Sequence, residues 1–297
     1  MVEETAAGKR KVAMICAILL GIVFLVSGAW KVLSPFRTGE LLEEAQVRAG
    51  LGVLGASALG TLELLTAFLL FTPQFRRWGG ILGSALMIFF IAWVGYYYPV
   101  LAGRECNCFP IIKRTVGPMF FVSDGIMLLL GLAAALWSVR VRNFRTPAVV
   151  LTGLIVLAGL SFGLNAAKRN TAKVPTPVIV DNRPEDLTHG KVLIFFYDPS
   201  CIHCEKAARF MATLHWDQTR IVAIPTINPQ WAASFLHDTQ LKAGTSLELD
   251  KLKKAFPFGD PPFGVALDDG QVKETFGQAN FVPPQPSADL KKLGFIQ

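Results

Sequence analysis

Cys201-Ile202-His203-Cys204 is where the residue types and spacing of this chain carry the most chemistry. Two thiols separated by two residues fall one turn apart on the same face of a helix, close enough to share a disulfide. The apolar run Val192 to Tyr197 just before them reads as a buried strand, so the pair stands on a strand-to-helix turn, a redox signature. At a helix N-terminus the free backbone N–H groups and the helix dipole stabilise a thiolate. Cys201 is then the attacking sulfur and Cys204 the resolving one. An imidazolium at His203 would further favour the thiolate and make the disulfide more oxidising. A second close pair, Cys106-Asn107-Cys108, lies far upstream in a short polar link. A disulfide between residues so close is strained and therefore labile, as an exchange partner requires. The alternative chemistry for the same four sulfurs is Cu(I) or Zn(II) binding by a carrier or assembly factor. One Cys-x-x-Cys supplies only two of four zinc ligands, and His189 and His215 have no ligand-like spacing to it. Cys16 lies inside an apolar run and reads as a packing residue.

The elements that must position these residues are of two kinds. The 297 residues are 52% hydrophobic, with 22 Phe and a mean hydropathy of +0.43. Apolar runs cover 12–33, 50–71, 78–98, 116–139 and 147–166. Each is about 20 residues, enough to cross a bilayer as a helix. Polar links at 34–49, 73–77, 103–114 and 140–145 join them, and 167–177 reads as a linker. Lys9, Arg10 and Lys11 precede the first run as in a signal peptide, but the four spans that follow make it an anchor. Charge divides with the hydropathy. Residues 174–297 hold 12 Lys and Arg against 14 Asp and Glu, whereas the remainder holds 17 against 8. The basic excess thus sits among the spans, next to lipid head groups, and argues against nucleic-acid binding.

Five spans place the 103–114 link and the C-terminal part on the same side of the membrane, by parity alone. Basic residues are nearly equal on the two sides, so the positive-inside rule does not choose between orientations. A basic N-terminus inside, and the need for disulfide chemistry to escape the reducing cytosol, favour a C-terminal domain outside a plasma (inner) membrane, in the periplasm. Glu63 and Asp124 lie within the second and fourth spans. Ionisable residues there are costly and raise a functional hypothesis, here a proton relay accompanying thiol oxidation. The competing reading for Glu63 is pairing with Lys31. Gly79-x-x-x-Gly83 suggests a close helix contact, and Trp30, Trp78, Trp93 and Tyr96 to Tyr98 an interfacial belt.

Residues 178–297 read as α/β. Strand-like runs at 191–197, 220–226, 263–267 and 271–276 alternate with helix-like runs at 202–215, 229–240 and 246–256. Asp268-Asp269-Gly270 is a hairpin signal between the last two strands. Gly190 to Cys204, with Pro262 and that hairpin, resembles the thioredoxin-like superfamily. The resemblance implies a cis-proline at Pro262 opposite the cysteines. Cys-Ile-His-Cys is similar to the Cys-Pro-His-Cys of periplasmic disulfide oxidases. Ile202 replaces their proline, and Pro199-Ser200 stands where a Trp often precedes the first cysteine, which leaves the direction of electron flow open.

Gly21 to Phe36, with small residues followed by Lys31 and Pro35 at the span's end, resembles the first helix of the DoxX family and its MauE relatives. Arg104 to Pro110 is similar to the Cys-x-Cys-Phe-Gly segment of that group, with Pro110 in place of Gly. The resemblance covers residues 12 to about 140. It implies a four-helix bundle with a role in thiol redox or in the maturation of disulfide-containing exported enzymes. The expected architecture is an all-α transmembrane bundle over 1–145, a fifth span and linker over 146–177, and a thioredoxin-like α/β domain over 178–297. The expected function is a membrane thiol-disulfide oxidoreductase acting on extracytoplasmic thiol or disulfide client proteins. Electrons would pass between Cys201/Cys204 and Cys106/Cys108. No residue pattern dictates a cofactor; a quinone would serve as the terminal acceptor.

Overall fold

The computed structural model describes residues 2–48, 50–103, 105–106, 114–138, 145–170, 174–281 and 285–297. It forms two compact units, Met1–Leu164 and Asn165–Gln297. In the first, helices α1 (Val2–Leu33), α2 (Pro35–Glu44), α3 (Gly52–Phe71), α4 (Arg76–Tyr96) and α5 (Tyr98–Leu101) are followed by the short strands β1 (Glu105–Cys106) and β2 (Arg114–Thr115). Helices α6 (Pro118–Leu136) and α7 (Arg145–Asn170) complete the order. Gly8–Leu33 of α1, all of α3, α4 and α6, and Arg145–Ala167 of α7 are long and apolar enough to cross a bilayer. The protein is therefore a multi-pass membrane protein, and the five apolar runs of the sequence are these five helices.

Hydrocarbon offers helices no hydrophobic reason to associate, so they pack where small residues let backbones approach. A Cβ on Gly28 of α1 would lie 2.8 Å from the Gly60 carbonyl oxygen of α3. One on Gly80 of α4 would meet the Ala135 nitrogen of α6 at 2.5 Å. Gly79 and Gly83 likewise face α3 and α1, at Leu70 and Phe24. Ala17, Leu20, Phe24, Ala67, Leu70, Leu86, Met87 and Ala134 fill the space enclosed. α7 is the most peripheral span: 6% of its apolar window is buried, against 28–50% for the others. Ser161 ties it to the Val32 carbonyl at 2.6 Å.

The 34–49 link, read as merely polar, holds α2. Pro35 sits in its first turn, where a fixed φ and a missing N–H are harmless. Glu43 Oε1 accepts from the Gly50 and Gly52 amides at 2.8 and 3.2 Å, satisfying donors at the start of α3.

The second unit contains β3 (Val178–Val180), β4 (Arg183–Glu185), β5 (Lys191–Tyr197), α8 (Ile202–Ala212), β6 (Arg220–Pro225), α9 (Ala232–Thr239) and β7 (Gly244–Thr245). After these come α10 (Leu249–Ala255), β8 (Phe263–Asp268), β9 (Gln271–Phe276) and α11 (Gln285–Lys292). β3 and β4 pair with each other, and the remaining five strands form one sheet in the order β7-β6-β5-β8-β9. β6 runs parallel to β5 and β7, while β8 and β9 are antiparallel. A mixed sheet in this order, with a β5–α8–β6 crossover and a closing hairpin, is the thioredoxin fold.

β5 explains why its sequence is almost wholly apolar. Successive side chains point to opposite faces, and both faces are covered. Leu193, Phe195 and Tyr197 join Cys204, Ala207 and Met211 in one core. Val192, Ile194 and Phe196 join Leu252, Phe256 and Phe258 in the other. The β8–β9 turn places Asp269 and Gly270 at φ +49° and +73°, the left-handed pair that a two-residue hairpin requires. The sequence reading missed the β3–β4 hairpin, β7 and α11, which are too short to show a period.

Candidate functional site

β5 ends at Tyr197, and Asp198 to Ser200 turn the chain into α8. Cys201 is the N-cap residue of that helix, with extended backbone dihedrals of −93° and 120°. Its amide donates to the Asp198 carbonyl at 3.1 Å, and its carbonyl accepts the Glu205 amide at 3.0 Å. The sulfur is partly exposed, whereas Cys204 is wholly buried in the core. The Asp198 amide donates to the Cys204 sulfur at 3.3 Å. The helix start therefore presents one thiol to solvent and hides its partner one turn inside.

Electrostatics separates the two sulfurs further. The Cys204 thiol donates to Cys201, and the His203 and Cys204 amides also point at the Cys201 sulfur. Together they outweigh the cost of partial burial and bring the Cys201 pKa down to about 6. Cys204 moves the other way, because it is held as the donor to Cys201 and because it is buried. Near neutral pH Cys201 is thus an accessible thiolate and Cys204 a protected thiol. His203 is half-buried between them.

The Pro261–Pro262 bond is cis. Phe263 pairs with Phe196 in the register of β8 on β5, which leaves Pro262 at the end of the sheet from which the cysteine turn departs. The parallel strand β6 ends there too, since Pro225 pairs with Tyr197. Ile202 is 56% exposed, and Ile227 and Trp231, just beyond β6, are 49% and 50% exposed. Three large apolar side chains are thus exposed at or just beyond the end of the sheet from which the cysteine turn departs. Ile227 and Trp231 had no signal in the sequence, because their exposure depends on strand order.

Tyr197 is fully buried and stacks on Phe195 and Phe235, yet its hydroxyl has no hydrogen-bond partner. Burial, helped by Cys204, holds the phenol protonated far above its ordinary range. A buried donor left unpaired costs about 1–3 kcal/mol. Tyr197→Phe should therefore stabilise the protein by roughly 1 kcal/mol, seen as a higher midpoint in thermal unfolding followed by Trp fluorescence. An unchanged or lower midpoint would mean that the hydroxyl is satisfied in solution.

In the membrane unit, Cys106 lies in β1, where its backbone pairs with Arg114 of β2. Cys108 lies outside the described residues. The Arg114 guanidinium reaches Asp124 Oδ1 at 2.6 Å and the Phe120 carbonyl at 3.2 Å, and it also contacts the Ser123 hydroxyl. Its carbon stands 4.5 Å from the centre of the Phe120 ring. Asp124 is thus joined through Arg114 to the strand pair that carries Cys106. Glu63 takes the paired state: both carboxylate oxygens accept from Lys31 Nζ, at 3.0 and 2.9 Å, and Lys31 also donates to Ser27 at 2.5 Å. All three side chains are buried. Lys31 was legible as a partner for Glu63, whereas Arg114 lies in the short strand β2, where nothing in the sequence marks it. Among the described residues no three His, Cys, Asp or Glu side chains converge as a metal set.

Residues 9–138 match the family model of the methylamine utilisation protein MauE. Among solved structures, a candidate thioredoxin from Neisseria meningitidis, determined in solution, is similar at 17% identity. The similarity covers 42% of this chain and 88% of that one, with a TM-score of 0.34. No curated protein matches the chain.

Proposed function

From a MauE-like membrane domain joined to a thioredoxin-like domain, we propose a membrane-bound thiol-disulfide oxidoreductase that forms disulfides in exported proteins. The observation that carries this reading is the division of the Cys201–Cys204 pair into an accessible low-pKa sulfur at a helix N-cap and a buried resolving sulfur. A client thiolate attacks Cys201 of the disulfide, and Cys204 is released. A second client thiol then attacks the client sulfur of the mixed disulfide and expels Cys201. A thiolate of low pKa leaves readily, so the chemistry runs toward client oxidation. Two electrons and two protons now reside on the dithiol.

Recharging follows the same rules. The Cys201 thiolate attacks a Cys106–Cys108 disulfide, and Cys204 resolves the mixed disulfide by attacking Cys201. The reduced Cys106/Cys108 pair would pass two electrons and two protons to a quinone in the bilayer. By the parity of five spans, both dithiols share one face of the membrane, which we take to be the extracytoplasmic one. Glu63 and Asp124 remain candidates for moving the protons, each within its ion pair.

Trapping tests the relay. In Cys204→Ser the resolving sulfur is gone, so mass-tagged maleimide and peptide analysis should find Cys201 disulfide-bonded to Cys106 or Cys108. Cysteines that are all reduced, in protein that carries stoichiometric metal, would instead favour the metal carrier.

A further inference from the structure

The ion pair that ties β2 to α6 leaves much of its cation unused. The Arg114 guanidinium carries five N–H donors in a planar fork. Its three contacts with α6, to Asp124 Oδ1 at 2.6 Å, to the Phe120 carbonyl at 3.2 Å and to the Ser123 hydroxyl, are all made by Nη2. Among the described residues Nε and Nη1 have no partner. The side chain is 19% exposed and lies over the Phe120 ring, so water screens its charge only in part. In the antiparallel register Arg114 is opposed to Cys106, and Glu105 is opposed to Thr115. Directly opposed residues of such a pair share one face, with Cβ atoms about 4.5–5.5 Å apart. Tyr97 and Tyr98, in and beside the neighbouring apolar cluster, supply phenols and no cation. Arg104 and Lys113, the other charges of this link, lie outside the described residues. The register therefore sets a partly used cation opposite one sulfur of the second dithiol.

We propose that Arg114 stabilises Cys106 as a thiolate, so that Cys201 bonds to Cys108 and Cys106 is the sulfur released. This assignment rests on the dithiol relay proposed above and gives each sulfur of the second pair its own role. An opposite charge within about 4–6 Å lowers a thiol pKa, and a thiol of lower pKa leaves a disulfide faster. The Cys201 thiolate therefore attacks the Cys108 sulfur. The Cys201–Cys108 bond forms, the Cys106–Cys108 bond breaks, and its electron pair stays on Cys106 opposite the guanidinium. Cys204 then loses its proton and attacks Cys201. The Cys201–Cys204 disulfide closes, and the departing Cys108 sulfur takes that proton. Two electrons have passed from the first dithiol to the second. Arginine stays charged throughout, so Arg114 acts by its charge and carries no proton. Asp124 is a positioning residue that acts through the guanidinium it holds.

The test uses the full chain with Cys16→Ser and Cys204→Ser, oxidised, with its remaining free thiol alkylated. Fragmentation of the joined peptides should show Cys201 on Cys108 and the alkyl group on Cys106, at least about tenfold over the reverse. Equal shares, or Cys201 on Cys106, would overturn the assignment and keep the relay. No bond from Cys201 to either sulfur would remove the relay itself. A second readout separates charge from shape. In the chain with Cys108→Ser, alkylation of Cys106 by iodoacetamide is followed against pH on its own peptide. Arg114→Gln should raise the midpoint and slow the reaction at least about tenfold at neutral pH. Arg114→Lys keeps the charge and should not. Asp124→Asn keeps an acceptor for Nη2 and removes a competing charge, so the midpoint should stay or fall. If Arg114→Lys or Asp124→Asn raises it as far as Arg114→Gln does, the pair only holds β2 on α6. If Arg114→Gln leaves it unchanged, the guanidinium does not serve Cys106. Either result overturns the assignment.

Discussion

Glu63→Gln is expected to destabilise the membrane domain by about 3–5 kcal/mol, because it leaves the Lys31 ammonium buried without a counter-charge. Lys31, Glu63 and Ser27 are 4%, 2% and 4% exposed, so water cannot take the place of the lost carboxylate. The site has no room to relax. A Cβ on Gly60 would lie 2.8 Å from Lys31 Cβ, and one on Gly28 would lie 3.0 Å from Glu63 Cβ. Breaking a buried pair costs far more than replacing both partners with apolar groups of similar volume. The double variant Lys31→Met/Glu63→Leu should therefore recover most of the loss. Thermal unfolding in detergent, followed by retention of the folded species on size exclusion, would measure both. A Glu63→Gln protein as stable as the wild type would show that the Ser27 hydroxyl alone satisfies Lys31. A variant that folded well but stopped recharging the dithiol would assign Glu63 to proton transfer.

Cys204→Ala is expected to raise the Cys201 pKa from about 6 toward its ordinary value of 9.0, because the largest cause of the depression is the hydrogen bond from Cys204. Only the thiolate reacts with an alkylating reagent. Wild-type Cys201 should then be half-reactive near pH 6, whereas the variant should react at least about tenfold more slowly at pH 7. Alkylation rate against pH, read by mass spectrometry of the Cys201 peptide, checks this. A midpoint that stays near 6 would assign the depression to the helix amides. The same shifts link stability to pH in the reduced protein. Cys201 is depressed, so its contribution is present above its unfolded value and is lost as pH falls through about 6. Cys204 is raised, so its contribution is present below its unfolded value and is lost as pH rises above it. Thiol-linked stability of the reduced form should peak near pH 9 and be absent from the disulfide form, which has neither proton to bind.

The elements were legible because their signals are local. Twenty apolar residues in a row can satisfy their backbone in lipid only as a helix, and all five such runs are helices of the structure. The Val192–Tyr197 run had to be a strand covered on both faces, and the Asp269-Gly270 step had to be a tight turn. The Cys201–Cys204 pair at a strand-to-helix turn needed only its own spacing and the apolar run before it. What the chain did not disclose locally was decided by packing. α2 escaped notice because an amphipathic helix of ten residues looks like a polar link until its buried side, Pro35, Thr38 and Gly39, has something to pack against. Glu63 and Asp124 were conspicuous as charges in apolar runs, but whether each stood alone depended on residues outside its own span, Lys31 of α1 and Arg114 of β2. Asp198 carried no signal in the sequence, since its contacts with both cysteines run through its backbone. Sequence by itself determined the five spans, the β5 strand and the spacing of the cysteine pairs, because hydropathy, period and spacing are properties of neighbours along the chain. Only the tertiary structure decided the partners of the buried charges and the contrast between an accessible Cys201 and a buried Cys204, because burial and hydrogen bonding are properties of neighbours in space.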